Sequence, residues 1–180
     1  MRTPTLIVVS GPPGSGKTQL AHALAPQIPC PAVCRDEIKE GMAHTAGPGF
    51  EPSAGDPLTR RTVEVFFEVI GVLVNAEVSL VAEAAYQDRL WRHGLEPLLE
   101  RARLRIVHCE VEAAVAWERA NQRIAPRAAH AVGAHVHELE AWTELFTSFE
   151  RLSIDAPFLR VDTTEGYRPS LDEIVAFVGD

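Results

Sequence analysis

The sequence predicts an α/β fold in which helices cover both faces of a parallel sheet. Three observations predict it. Short apolar, β-branched runs alternate with segments of helical periodicity along the whole chain, as strand–helix–strand units do. The first such run leads directly into a glycine-rich loop and then a helix. Two carboxylates far apart in sequence, Asp36 and Glu83, each stand at the end of an apolar run, and parallel sheets bind ligands beyond the carboxyl ends of their strands.

Each element has its own warrant. Thr5–Ser10 is apolar and β-branched, as a buried parallel strand is. Gln19–Ala25 carries Leu20, Ala21 and Leu24 at helical spacing, limited by Pro26 and Pro29. Ala32–Cys34 predicts a second strand, with a helix following through Met42. Thr45–Pro57 is rich in Gly and Pro and predicts a loop. Leu58–Ala76 is a long helix with a broad apolar face that includes Val63, Phe66, Phe67, Ile70, Leu73 and Val74. Val78–Ala82 is a third strand ending at Glu83, and Asp88–Ala102 is helical with a bend or break at Pro97. Leu104–Cys109 is a fourth strand, followed by a helix from Glu112 to about Ile124. Ala125–Val136 has no clear period; Glu138–Leu152 is helical; Phe158–Asp162 is the fifth strand. Ser170 caps a last helix to about Val178, with Glu173 completing a capping box.

Composition bounds the class. The chain has 180 residues, enough for one domain spanning 1–180, and 46% hydrophobic residues, enough for a full core. Its net charge of −8 argues against a general nucleic-acid partner. There is no run long enough to cross a membrane, and the first strand begins within a few residues of Met1, where a signal peptide would lie. The three cysteines, Cys30, Cys34 and Cys109, are an odd set without metal spacing. They predict reduced thiols in core or half-buried positions and a cytoplasmic protein. His130, His135 and His137 fit a polar loop better than a metal site, because structural zinc sites usually include cysteine.

The loop after the first strand reads Gly11-Pro12-Pro13-Gly14-Ser15-Gly16-Lys17-Thr18. It fits G-x-x-x-x-G-K-[ST], the phosphate-binding P-loop or Walker A motif. Between a strand and a helix, its backbone N–H groups and the helix N-terminus form an anion nest. Lys17 reaches toward β- and γ-phosphates and the Thr18 hydroxyl toward Mg²⁺. The ligands predicted are therefore ATP and Mg²⁺.

Phosphoryl transfer needs positioning, charge neutralisation and a base beside the acceptor hydroxyl. Asp36, just past the second strand, is the candidate base; a helix N-cap is its structural alternative. Glu83 ends its strand as a Walker B acid does and is the second candidate metal residue, with a solvated strand end as the alternative. Arg119, Arg123 and Arg127 are candidates to close over the triphosphate, or else form a solvated basic face. Arg89 and Arg92, or Arg35 and Lys39, are placed to face an acceptor or simply the solvent. Phe66, Phe67 and Trp91 suit core packing better than an acceptor pocket.

Together these residues resemble the small P-loop kinases of the predicted-kinase group within the AAA-type ATPase superfamily. That group is related to polynucleotide kinase 5′-phosphotransferase domains, chloramphenicol phosphotransferase and zeta toxins. The resemblance rests on Gly11–Thr18, on Cys34-Arg35-Asp36-Glu37-Ile38-Lys39, on Val81-Ala82-Glu83-Ala84-Ala85 with Arg89, and on Glu118-Arg119 through Arg123. It implies a three-layer P-loop NTPase fold with a five-stranded parallel sheet in order 2-3-1-4-5 and a short lid at about 123–137. It implies Asp36 as the catalytic aspartate, Arg123 or Arg127 as a lid arginine on phosphates, and Val161-Asp162-Thr163-Thr164 as the segment near adenine. Two features depart from the pattern: glutamate stands at 83 where many relatives carry aspartate, and the segment 125–130 is poor in arginine.

The function expected is a kinase: Lys17, Arg123 and Asp36 carry transfer of the γ-phosphoryl group of Mg-ATP to a hydroxyl of a small molecule such as an antibiotic, sugar or nucleoside. Gly11, Pro12, Pro13, Gly14, Ser15, Gly16, Lys17, Thr18, Arg119 and Arg127 hold the nucleotide, and Thr18 and Glu83 the metal. The alternatives are a polynucleotide 5′-hydroxyl kinase, a zeta-like toxin kinase, or a nucleotide-dependent switch with slow ATPase activity. There is no Asn-Lys-x-Asp motif for guanine. The acceptor and the oligomeric state have no readable code in the sequence.

Overall fold

A computed structural model describes residues 3–47, 57–127 and 139–179, with the side chains of 123–127, 139–141 and 145 outside the description. Its strands are β1 (Thr5–Ser10), β2 (Ala32–Cys34), β3 (Leu80–Glu83), β4 (Arg103–Glu110) and β5 (Phe158–Asp162). They form one parallel sheet in the order β2-β3-β1-β4-β5, the expected arrangement. The helices are α1 (Lys17–Leu24), α2 (Arg35–Ala46), α3 (Pro57–Asn75), α4 (Asp88–Leu95), α5 (Ala113–Arg127), α6 (Leu139–Thr147) and α7 (Leu171–Gly179).

β1 occupies the centre and is buried at every residue, so its run is continuously apolar instead of alternating. Its side chains divide between two cores. Leu6 and Val8, with Leu80, Ala82, Leu104 and Ile106, pack against Phe66, Ile70 and Val74 of α3 and Trp91 and Leu95 of α4. Ile7 and Val9, with Val81, Val107 and Val161, pack against Leu20, Ala21 and Leu24 of α1 and Ile174 and Val178 of α7. Three layers result, and every strand points its carboxyl end to the same edge.

The aromatic residues are structural. Phe66, Phe67, Tyr86 and Trp91 form a cluster with ring centroids 5.2–6.0 Å apart, mostly edge to face. Trp91 is fully buried, and its Nε1–H donates to Ser10 Oγ at 3.1 Å, so its one polar atom is satisfied inside the core. Phe66 and Trp91 therefore pack; neither lines an open acceptor pocket.

Helix boundaries differ from the expected ones for local reasons. α2 runs past Met42 to Ala46, because Gly41 is tolerated within it and the chain turns only at Gly47, with φ +85°. Thr45 thus belongs to the helix, its hydroxyl donating to the Gly41 carbonyl at 3.0 Å. Pro97 breaks the expected Asp88–Ala102 helix: α4 stops at Leu95 and one 3₁₀ turn, Glu96–Leu98, follows. α5 extends beyond Ile124 to Arg127. α6 ends at Thr147 instead of Leu152 because the next backbone groups bond to the start of α4. Glu150 N–H donates to Gln87 Oε1, Glu150 C=O accepts from Asp88 N–H at 3.2 Å, and Ser153 N–H donates to Asp88 Oδ1 at 2.7 Å. The capping box at Ser170 forms as expected: its hydroxyl accepts from Glu173 N–H at 3.4 Å, and its N–H donates to Glu173 Oε2 at 2.8 Å.

His108 pairs in register with Ser10 and is 6% exposed, stacked on Phe158 at a centroid distance of 5.9 Å and tilted against Phe149 at 6.0 Å. Burial, helped by the charges of Arg151, Lys17 and Arg160, pulls its pKa from 6.5 down to about 4. The native state thus favours neutral imidazole. On acidification the unfolded chain takes up the proton first, so stability present above pH 6.5 is lost as the pH falls toward 4. The slope has a ceiling of about 1.4 kcal/mol per pH unit. Denaturant melts between pH 7 and 4 should show this loss, and His108→Gln should remove most of it. Phe66→Ala should cost about 3–5 kcal/mol in the same assay, the usual range for deleting a buried phenylalanine ring.

Candidate functional site

The loop leaves β1 at Ser10 and re-enters helix at Lys17, over the carboxyl edge of the sheet. Its shape is set by close approach. Gly14 has φ +78°, and a Cβ there would collide with the Ala116 carbonyl of α5. Gly16, at φ +72°, is the N-cap of α1 in a left-handed conformation that offers no side-chain cap. The first N–H groups of α1 therefore lack side-chain acceptors from the cap, as an anion nest requires. Thr163, just past β5, ties the loop down: its hydroxyl donates to the Ser15 carbonyl at 2.9 Å and lies 3.1 Å from the Glu110 carbonyl. No local pattern in the sequence marks this brace, since 148 residues separate its partners.

Lys17 is 6% exposed; its Nζ donates to the Pro12 carbonyl at 2.8 Å and sits 3.5 Å from Ser15 Oγ. The Pro12 carbonyl thus holds the ammonium group within the loop. Glu83 is 2% exposed at the end of β3, so the alternative of a solvated strand end is corrected. Parallel register sets it beside Val9 on one side and Cys34 on the other. The Thr18 hydroxyl donates to Glu83 Oε2 at 3.0 Å. Burial is the largest influence on Glu83 and raises its pKa; Lys17 opposes this, and Asp36 and Glu37 add to the rise. A hydroxyl and a carboxylate side by side are hard oxygen donors, the kind Mg²⁺ takes, so Thr18 and Glu83 fit that ion.

Asp36 stands two residues beyond Cys34, in the first turn of α2. It is not the N-cap: Cys34 holds that position and makes no side-chain cap bond. The Asp36 side chain is 69% exposed and accepts from Arg35 Nη1 at 2.6 Å. Arg35 lies over the Tyr86 ring, 5.8 Å from its centroid, and so links Asp36 to the aromatic cluster. Tyr86, absent from the sequence-based candidates, sits three residues beyond Glu83 with no motif to mark it. Lys39 is buried on the same helix.

The arginines separate. Arg119 Nη2 donates to the Thr163 and Thr164 carbonyls, 2.9 Å each, fastening α5 to the end of β5. The side chains of Arg123 and Arg127, and residues 128–137 of the expected lid with His130, His135 and His137, lie outside the described residues. Arg92 joins Asp88 and Ser153 Oγ, the latter at 2.6 Å, and so braces α4 against the segment after α6. Beside Thr164 a cavity of about 490 Å³ opens between Glu110, Glu112, Asp162, Glu165 and Arg168.

A family profile for the AAA domain matches residues 6–149, four-fifths of the chain. The chain belongs to the AAA domain family. Among curated proteins no sequence matches this AAA domain. Its fold is that of P-loop kinase-like proteins. A candidate kinase from Chloroflexus aurantiacus superposes with TM-score 0.84 at 24% identity, covering 99% of this chain and 98% of that one. A gluconokinase from Sinorhizobium meliloti gives 0.59 at 20% identity, covering 99% and 91%. The APS kinase of Mycobacterium tuberculosis, solved with AMPPNP and APS, gives 0.64 at 14% identity over the full length of both chains. No described helix of this AAA domain is long and apolar enough to cross a membrane.

Because its environment favours the protonated acid, Glu83 adds stability at low pH that is lost as the pH rises through its raised pKa. Glu83→Gln should therefore raise the Tm of the ligand-free chain at pH 7, read by calorimetry. An unchanged or lower Tm would show that Lys17 and Thr18 fully offset the burial.

Proposed function

We propose that this chain is an ATP-dependent phosphotransferase that moves the γ-phosphoryl group of Mg-ATP to a hydroxyl of a small molecule. The observation that carries the reading is the Thr18–Glu83 contact at 3.0 Å, buried beside Lys17 at the strand edge that also carries Asp36. It supports a site for metal and phosphate next to an exposed carboxylate that can meet a diffusing acceptor.

In this reading the nest from Gly11 to Gly16 and Lys17 holds the β- and γ-phosphates. Thr18 and Glu83 would hold Mg²⁺, which when bound supplies neutralising charge to the phosphate oxygens. Asp36 accepts the proton of the acceptor hydroxyl as its oxygen bonds to the γ-phosphorus; the bond to the β,γ-bridging oxygen breaks and ADP leaves. The proton then passes to solvent. Arg35 orients Asp36 by its 2.6 Å hydrogen bond. Arg119 belongs to the nucleotide side through the Thr163–Thr164 backbone, and Arg123 or Arg127 would meet the phosphates from α5.

The test is transfer of labelled phosphate from Mg-ATP to panels of sugars, nucleosides, aminoglycoside-type alcohols and 5′-hydroxyl oligonucleotides. Label on a small alcohol is the expected result. Label on the oligonucleotides alone would make the chain a polynucleotide kinase, and hydrolysis without transfer to any acceptor would leave a switch. Asp36→Asn should lower transfer by about 10²–10⁴-fold, the usual contribution of a general base, with little change in ATP affinity. Lys17→Ala should reduce both. Near-normal turnover in Asp36→Asn would remove it as the base.

A further inference from the structure

Folding brings three possible ligands together that the sequence keeps apart. His22 lies on α1, one turn after Thr18; Cys34 ends β2; Glu37 is in the first turn of α2. His22 Nε2 is 2.6 Å from Glu37 Oε1 and 3.8 Å from Cys34 Sγ. All three ligand atoms fall within 4.8 Å of one another. The imidazole and carboxylate are half exposed, at 51% and 50%, whereas Cys34 is buried at 2%. The sulfur thus forms the floor of a notch whose walls can move.

We propose that His22, Cys34 and Glu37 are a binding site for a transition-metal dication of the Zn²⁺ class, separate from the Thr18–Glu83 pair. Zinc bonds of about 2.0–2.3 Å place neighbouring ligand atoms roughly 3–4 Å apart. The Cys–His separation already falls in that range, and the His–Glu pair needs only a small opening of two exposed side chains. Thiolate, imidazole and carboxylate together select zinc-like ions over Mg²⁺, which takes oxygen. Three protein ligands leave a fourth position for water.

The charge balance also suits a cation. On coordination the Cys34 thiol gives its proton to solvent and His22 binds as neutral imidazole, so thiolate and carboxylate cancel the dication. Glu83 lies beside Cys34 in register, and Asp36 precedes Glu37 in the first turn of α2, so two further carboxyl groups flank the notch. A surface ion pair of His22 and Glu37 would not by itself require the buried sulfur to meet the same ring nitrogen. The bound ion would clamp α1, which follows the phosphate loop, to α2, which carries Asp36.

Co²⁺ is the probe, because a cobalt–thiolate bond gives a charge-transfer absorption that oxygen ligation at Thr18 and Glu83 cannot. Titrating the ligand-free chain should produce that band with one equivalent of Co²⁺, and Zn²⁺ should abolish it. Cys34→Ser should lose the band; Cys30→Ser and Cys109→Ser should keep it. His22→Gln and Glu37→Gln should each raise the Co²⁺ midpoint roughly tenfold or more. These two exposed positions carry the test if Cys34→Ser does not fold. No band in the wild-type chain, a band that survives Cys34→Ser or follows Cys30 or Cys109, or midpoints unmoved in both His22→Gln and Glu37→Gln would overturn the site. None of these readings depends on phosphotransfer.

Discussion

A buried carboxylate governs the architecture of the site. Removing an ion from water costs several kcal/mol unless polar partners replace the lost hydration. Glu83, 2% exposed, has a hydroxyl donor in Thr18 and a nearby cation in Lys17, yet its pKa remains raised. Thr18 and Lys17 therefore offset the burial of a Glu83 carboxylate only in part. A dication at the same point would complete the compensation, which is why this one contact carries the functional reading. The same logic sets the direction of the Glu83→Gln effect: what the fold gains, the site loses.

The rest of the molecule holds Glu83 and the loop in fixed relation. β1 is buried along its length and paired on both sides, so the loop springs from the most constrained strand. The register Val9–Glu83 then places the carboxylate at the root of the loop. Thr163 joins the loop carbonyl of Ser15 to the ends of β4 and β5, and Arg119 joins α5 to the same corner. On the opposite side Arg35 joins Asp36 to Tyr86 and the aromatic core. The Gly11–Thr18 loop, the Thr18–Glu83 contact and the proposed base are thus each anchored to a different part of one sheet edge.

Local signals were legible and remote ones were not. The five strands and the Gly11–Thr18 loop could be read because apolar runs and glycine spacing act within a few residues. Asp36 and Glu83 could be placed at one edge because parallel topology aligns strand ends. The Thr163–Ser15 brace, the Arg35–Tyr86 contact and the meeting of His22 with Cys34 could not, since each joins elements distant in the chain through contacts that no local pattern encodes. The end of α6 shows the same effect at a boundary: helical periodicity continues past Thr147, but Gln87 and Asp88 take over the backbone of 150–153. Gly47 was the reverse case. A glycine ended α2, but choosing it over Gly41 required knowing which of the two adopts positive φ.

If Glu83 and Thr18 receive a metal-bound nucleotide, Mg²⁺ must tighten nucleotide binding through Glu83. Calorimetric binding of a non-hydrolysable ATP analogue, with Mg²⁺ and with EDTA, measures this dependence. Mg²⁺ should tighten binding to the wild-type chain by roughly tenfold or more, about 1.4 kcal/mol, and Glu83→Gln should lose most of this gain while still binding the analogue. Equal Mg²⁺ dependence in the two proteins would contradict it.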